Sequence, residues 1–418
     1  MIRALAPVAT LLLSAAILLA GQGLQGTLLP VRAGLEDFST FQIGSLGAFY
    51  FFGFTMGCLR GGDLVQRVGH IRVFLAMSAM ASAAPLLHGL VVHPFVWNGL
   101  RFVTGFCLAA LYVVIESWLN ERATNENRGI IFSTYAMITL TVMAGGQLMT
   151  LLYDPLGWQL FVITSILFSI GAVPIALSTS PTPKRPQSTS VDIPRLLTVS
   201  PSGTFGCFAA GLANGAFWSL TPVYAAAVGD VTKMAAGLMA AAVVGGALSQ
   251  WPLGLLSDAI SRRKVLVGIA VVAVAVGIAL TFTADTAGPR TALILIALWG
   301  AMAFPLYTVA VAYANDYADP AEFVKVSGGL LFVYGVGAIA GPFIASIFMN
   351  WQGKGALFLF TSIVHVLLIV FVVIRFLLER NQADQPVQFG DALSAAQTAS
   401  QVYEEEMHRD YEDDEEDK

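Results

Sequence analysis

Residues 111–121 read LYVVIESWLNE and residues 306–316 read LYTVAVAYAND. Superimposed at an offset of 195, they pair Tyr112 with Tyr307, Asn120 with Asn315 and Glu121 with Asp316. The same offset pairs Gly105 with Gly300 and Gly146 with Gly341. Upstream, an offset of 192 pairs Gln22 with Asn214, Gly23 with Gly215, Pro30 with Pro222, Gly53 with Gly245 and Gly62 with Gly254. A constant offset with one three-residue insertion marks an internal duplication.

What is duplicated is apolar. Eleven stretches of twenty residues or more lack Asp, Glu, Lys and Arg: 4–31, 38–59, 73–100, 129–153, 155–183, 196–229, 234–257, 265–284, 291–315, 326–353 and 355–374. A further apolar segment, 95–118, is broken only by Arg101 and Glu116. A helix crossing a bilayer core of about 30 Å needs about 20 such residues, because its backbone amides must be satisfied within the segment. Twelve spans follow, six per copy. Six is even, so both copies enter the membrane from the same face as parallel repeats. A substrate site then forms near the midplane between two bundles. The expected fold is an all-α membrane protein of twelve transmembrane helices in two six-helix bundles, 1–178 and 201–380. Residues 179–200, with four prolines, read as a cytoplasmic linker. Residues 381–418 form a polar and then acidic tail, with ten acids in 404–418, expected to be disordered.

Composition agrees: 56% of residues are hydrophobic and 12% charged, against about 25% charged in soluble domains. Cys58, Cys107 and Cys207 all fall inside apolar spans, so neither a disulfide framework nor a metal cluster is expected. The first apolar run reaches Val31, too long for a signal-peptide core, and is read as a retained helix. With the N-terminus placed in the cytoplasm, seventeen Lys and Arg fall on the inner side and five on the outer. That positive-inside bias puts both termini in the cytoplasm of a cell inner membrane protein.

Chemistry is sparse. Arg101 lies within the fourth span, where a central arginine is unfavourable by about 2.5–3.5 kcal/mol and normally marks a pathway. Arg101, Gly105, Tyr112 and Glu116 share one helical face. Glu116 falls toward the cytoplasmic end, where a pair with Arg67 or Arg128 is expected. Gln22 and Gln25 share a face of the first helix, and Asn214 and Trp218 share one of the seventh. Tyr135, Gln147, Gln250, Trp299, Tyr307 and Tyr334 complete the expected substrate cavity; each could equally be a polar link between helices. The loops after the second and eighth helices carry Gly62, Arg67, Gly69 and Arg72, and Gly254, Asp258, Arg262 and Arg263. Acids and bases at fixed spacing there can pair between bundles in one arrangement only, and are read as a cytoplasmic gate. No phosphate-binding loop or clustered catalytic set appears, so neither an ATP-driven pump nor an enzyme is expected, and no cofactor.

These loops resemble the major facilitator superfamily signature G-x-L-x-D-R-x-G-R-[RK]. Gly254, Leu256 and Asp258 match it in the second copy; Gly62, Leu64, Arg67 and Gly69 match in the first, with Gln66 in place of the acid. Arg101 and Gly105 resemble the family's R-x-x-x-G helix, and SQWPLGLLSDAISRRKVLV resembles a bacterial group of YcaD-like permeases. The resemblance implies a secondary transporter working by alternating access, proton-coupled through Arg101. The apolar and aromatic cavity candidates favour a small organic solute, with export slightly favoured over import. Its partners would be a small-molecule substrate, the lipid bilayer and protons, with no nucleic acid, and the chain would act as a monomer. The rival readings are an uncoupled facilitator or importer and, more remotely, a polytopic membrane enzyme or receptor.

Overall fold

The computed structural model describes residues 8–123, 128–177, 193–284, 286, 288–319 and 323–378, with the backbone alone at 128, 129, 323 and 324. The expected acidic tail and the linker up to residue 192 lie outside them. Twelve long helices follow in order: α1 Ala9–Leu35, α2 Thr40–Val68, α3 His70–Leu90, α4 Pro94–Arg122, α5 Arg128–Leu148, α6 Gln159–Ala176, α7 Pro201–Val228, α8 Val231–Ala259, α9 Arg262–Thr283, α10 Pro289–Asn315, α11 Phe323–Gln352 and α12 Ala356–Leu378. Among the described residues there is no strand. Eleven of the twelve are individually long and apolar enough to span a bilayer; α7, rich in small and polar residues, qualifies together with the short helix Ile193–Val199, from which it bends by 118°.

Local sequence sets the helix ends. Ser39 and Gln42 form a reciprocal capping box at the start of α2. Asp230 accepts from Lys233 N at the start of α8. Pro94 and Pro289, 195 apart, begin α4 and α10, where the missing amide proton would have no helical partner. Gly69 ends α2 at φ 89°, a left-handed conformation open to glycine at little steric cost.

The duplication reappears in the packing. A Cβ on Gly53 would overlap the Phe102 carbonyl, and one on Gly245 would overlap that of Ala297. Gly105 faces the Tyr50 carbonyl as Gly300 faces that of Ala242. Gly146 lies on Ala20 as Gly341 lies on Leu212. Every residue in these pairs keeps the offset of 192 or 195, so α2–α4 and α1–α5 contacts recur as α8–α10 and α7–α11. Lipid supplies no hydrophobic drive between helices, and close backbone approach at small residues does this work instead. Outward-facing Phe95, Trp158, Trp251 and Trp351 are each at least two-thirds exposed, a position suited to lipid and interface.

The halves meet along α2–α11, α5–α8, α2–α7 and α1–α7. Most of that seam lies at the membrane face opposite the basic loops. There Phe41 and Phe343 have ring centroids 5.6 Å apart, Gly44 lies under Pro342 and Ser346, and Gly47 lies under Ser219. Ala144, Ala240 and Val243 close the α5–α8 side. Farther along α2, Thr55 touches Gly335.

Candidate functional site

One large cavity, of about 500 Å³, lies between the halves. It runs from Arg101 and Leu46 beneath the sealed seam to Leu59 and the exposed Lys325 near the basic loops. Gln22, Gln25, Arg101, Tyr112, Tyr135, Gln147, Trp218, Gln250 and Tyr334 all line it, as expected from sequence. Three expected residues do not. Trp299 is fully buried in the second half, stacked on Phe217 with centroids 4.9 Å apart. Tyr307 stands behind Tyr334, ring to ring at 4.9 Å. Asn214 is 4% exposed and lies within hydrogen-bonding reach of Tyr334. The repeat maps Asn214 onto Gln22, but of the neighbours Asn214 and Tyr334 it is Tyr334 that lines the cavity.

The first half supplies a hydrogen-bonded wall. Tyr112 donates to Gln22 Oε1 at 2.5 Å, and Gln22 Nε2 donates to the Tyr50 hydroxyl at 3.0 Å. The Tyr50 ring lies under the Arg101 guanidinium, 4.2 Å from its centroid, within cation–π range. Arg101 Nε donates to the Leu46 carbonyl at 3.3 Å. Arg101 is 8% exposed, so its guanidinium is held inside the protein and does not reach out along the helix to the membrane interface. One turn past Tyr112 toward the basic loops, Glu116 is 7% exposed, lies close to Tyr135 and is also part of the cavity wall. Expected at the cytoplasmic gate, Glu116 instead lines the cavity, as do Arg101 and Tyr112 on the same face of α4, while Gly105 between them packs against α2. Both polar atoms of Gln25, 1% exposed, and Oε1 of Gln147 make no hydrogen bond among the described residues.

Sequence reasoning missed the α2 wall. Leu46, Gly47, Tyr50, Phe51, Phe54, Thr55, Cys58 and Leu59 line the cavity at i, i+3 and i+4 spacing. That period was available as a signal, but α2 is apolar on every face, which masks which face is wet.

The Major Facilitator Superfamily profile matches residues 11–242 and again 203–404. The chain belongs to the major facilitator superfamily. It is 29% identical over 360 residues to the MFS-type transporter YcaD of Escherichia fergusonii, covering 84% of this chain and 91% of that one. A Salmonella arizonae relative of the same name matches at the same identity and coverage. Among solved structures, the nucleoside transporter NupG superposes with a TM-score of 0.75 at 13% identity, over 88% of this chain and 98% of that one. The Escherichia coli fucose:proton symporter FucP gives 0.57 at 15%, over 89% and 99%. At such identities these structures speak for the fold alone. The chain is a superfamily transporter and not an enzyme.

Among the described residues, the ion pairs given for the superfamily's signature loops each lie within one half. Arg262, 5% exposed, pairs with Asp258 at 3.1 Å and Asp316 at 3.1 Å, all within the second half, tying together the ends of α8, α9 and α10. Arg263 donates to the Tyr313 hydroxyl at 2.7 Å, also within that half. Burial and the hydroxyl contact with Tyr313 push Tyr317, in the following loop, up to about 12. In the first half Arg67 and Arg72 are exposed, and Arg60 lies 3.9 Å from Asp63. The expected pair of Arg67 with Glu116 is not formed, because Glu116 faces the cavity; the Arg128 side chain lies outside the described residues. Gly62 and Gly254 sit in the last turns of α2 and α8 rather than in loops.

Proposed function

We propose that this chain is a proton-coupled secondary transporter of a small organic solute, moving it by alternating access of the cavity between its halves. The observation that carries the reading is the placement of Arg101 and Glu116. Both are more than nine-tenths buried, both line one cavity, and Tyr50, Gln22 and Tyr112 form the wall between them. Intramembrane ionisable groups are costly and are typically found on ion or proton pathways. With the basic loops in the cytoplasm, the cavity is inward-facing and the seam at Phe41–Phe343 is the closed outer gate. Differential affinity of proton and solute for the two arrangements would then set their populations.

Metabolite uptake and efflux, compared in cells with and without the protein, identify the solute and direction. The purified protein in liposomes is then driven by an imposed pH gradient. Transport should follow the gradient, and Glu116→Gln should abolish that response while counterflow of solute persists. Transport indifferent to the gradient in the unmodified protein would establish an uncoupled facilitator instead.

A further inference from the structure

No acid pairs with Arg101 among the described residues. Among the described residues its only contacts of note are the Leu46 carbonyl and the Tyr50 ring, both formally neutral. A buried cation without a paired anion is strongly unfavourable, and a cavity that holds one is completed by an anionic ligand. Its neighbours add hydrogen-bond donors. The Tyr50 oxygen already accepts from Gln22, so its own proton is directed elsewhere, and Tyr50 lines the cavity. Gln25, 1% exposed on the same wall, adds an amide that makes no hydrogen bond among the described residues. Glu116 stands farther along the wall toward Lys325 at the mouth, so its carboxylate favours placing a second negative charge at the sealed end.

The second half offers the opposite chemistry. Trp218, Met239, Phe332 and Tyr334 present apolar and aromatic surface. Trp218 is held flat against Phe304, 5.4 Å between centroids with planes 5° apart. Gly47 packs on Ser219 while the next residue back, Leu46, holds Arg101, so Trp218 stands at the guanidinium's level across the seam. A volume of about 500 Å³ suits a molecule of one or two rings.

We infer that the cavity selects an amphipathic organic anion, its carboxylate on Arg101 and Tyr50 and its apolar or aromatic body against Trp218 and Met239. This deepens the transport reading and rests on the cavity being the transport site. An Arg–carboxylate contact is charge-assisted and can be bidentate, which makes it selective over a neutral isostere. The other charged groups of the wall, Glu116 and Lys325, lie farther toward the mouth.

The experiment is equilibrium binding and thermal unfolding of the full chain in detergent, with no gradient present. The probes are 2-naphthoate, 2-naphthamide and 2-naphthylmethylammonium. Naphthoate should bind at least tenfold more tightly than the amide and raise Tm by an amount that grows with the logarithm of its concentration above Kd, with no shift from the ammonium. Arg101→Met should raise the Tm of the ligand-free protein, since it removes an uncompensated buried charge, and should abolish the naphthoate shift. Arg101→Lys keeps the charge without the planar fork and should retain a reduced preference for naphthoate over naphthamide. Equal binding of naphthoate and naphthamide, no naphthoate binding at millimolar concentration, or a full naphthoate shift in Arg101→Met each overturns the inference. Because binding is read without a gradient, in the unmodified protein and the Arg101 variants alone, the outcome of the pH-gradient experiment leaves these results standing, and failure of one reading is separable from failure of the other.

Discussion

Gln22 uses both ends of its amide inside the protein, accepting from Tyr112 and donating to Tyr50. It thereby fixes which way each tyrosine hydroxyl points on the wall between Arg101 and Glu116. Gln22→Leu removes both bonds, each worth about 1 kcal/mol net, and leaves two hydroxyls that cavity water can still satisfy. Unfolding should shift by about 1–2 kcal/mol on that basis, with transport falling more than stability because Tyr50 loses its orientation. Parallel thermal melts and liposome flux check this; flux falling only in step with folded protein would make Gln22 structural. Arg262 presents a different balance, a cation 5% exposed with Asp258 and Asp316 both at 3.1 Å. Asp316→Asn leaves it half compensated and should destabilise the second half by about 1–3 kcal/mol, read by unfolding in detergent. Unchanged stability would show that Asp258 alone suffices.

Helix pairs are held where glycine lets backbones touch. On α2 a Cβ at Gly53 would strike the Phe102 carbonyl, a backbone atom that no rotamer change can move aside. Gly53→Val should therefore cost upward of about 3 kcal/mol through forced separation of α2 and α4, and folded yield should collapse. Gly99 in α4 has open space where its Cβ would be, so Gly99→Ala should be neutral or stabilising by up to about 1 kcal/mol. Detergent size-exclusion profiles and melts of the two variants give the comparison. If Gly53→Val were as well folded as Gly99→Ala, the close approach would not be what sets this crossing. The repeat extends the expectation to Gly245 on α8, whose neighbour is the equivalent Ala297 carbonyl.

At the scale of the molecule, Cys58 reports which face the cavity meets. It is half-buried and lines the cavity, whereas Cys107 and Cys207 are buried in the helix packing. A membrane-impermeant sulfonated maleimide should label Cys58 alone, from the face carrying the basic loops, and Cys58→Ser should take up no label. Labelling from the other face would reverse the orientation assigned from the positive-inside bias. In the Cys58→Ser background, Phe41→Cys with Phe343→Cys joined by a short bismaleimide should stop transport, since their rings meet across the seam at 5.6 Å. Transport that survives the cross-link would show that this seam does not open.

Legible in the sequence were the apolar helices and the offset at which equivalent residues recur, and nine of the residues named from it line the cavity between the halves. Those follow from local physics: hydrocarbon forbids unsatisfied backbone, and a retained offset places equivalent residues on equivalent helices. Tertiary structure alone decided that Asn214, Trp299 and Tyr307 face protein, that Glu116 belongs to the cavity, and that the Arg262 pairs stay within one half. It also revealed the α2 wall, with Tyr50 beneath Arg101. A helix apolar all round does not encode which face meets the cavity; its neighbours impose that, and of the neighbours Asn214 and Tyr334 only Tyr334 then lines it.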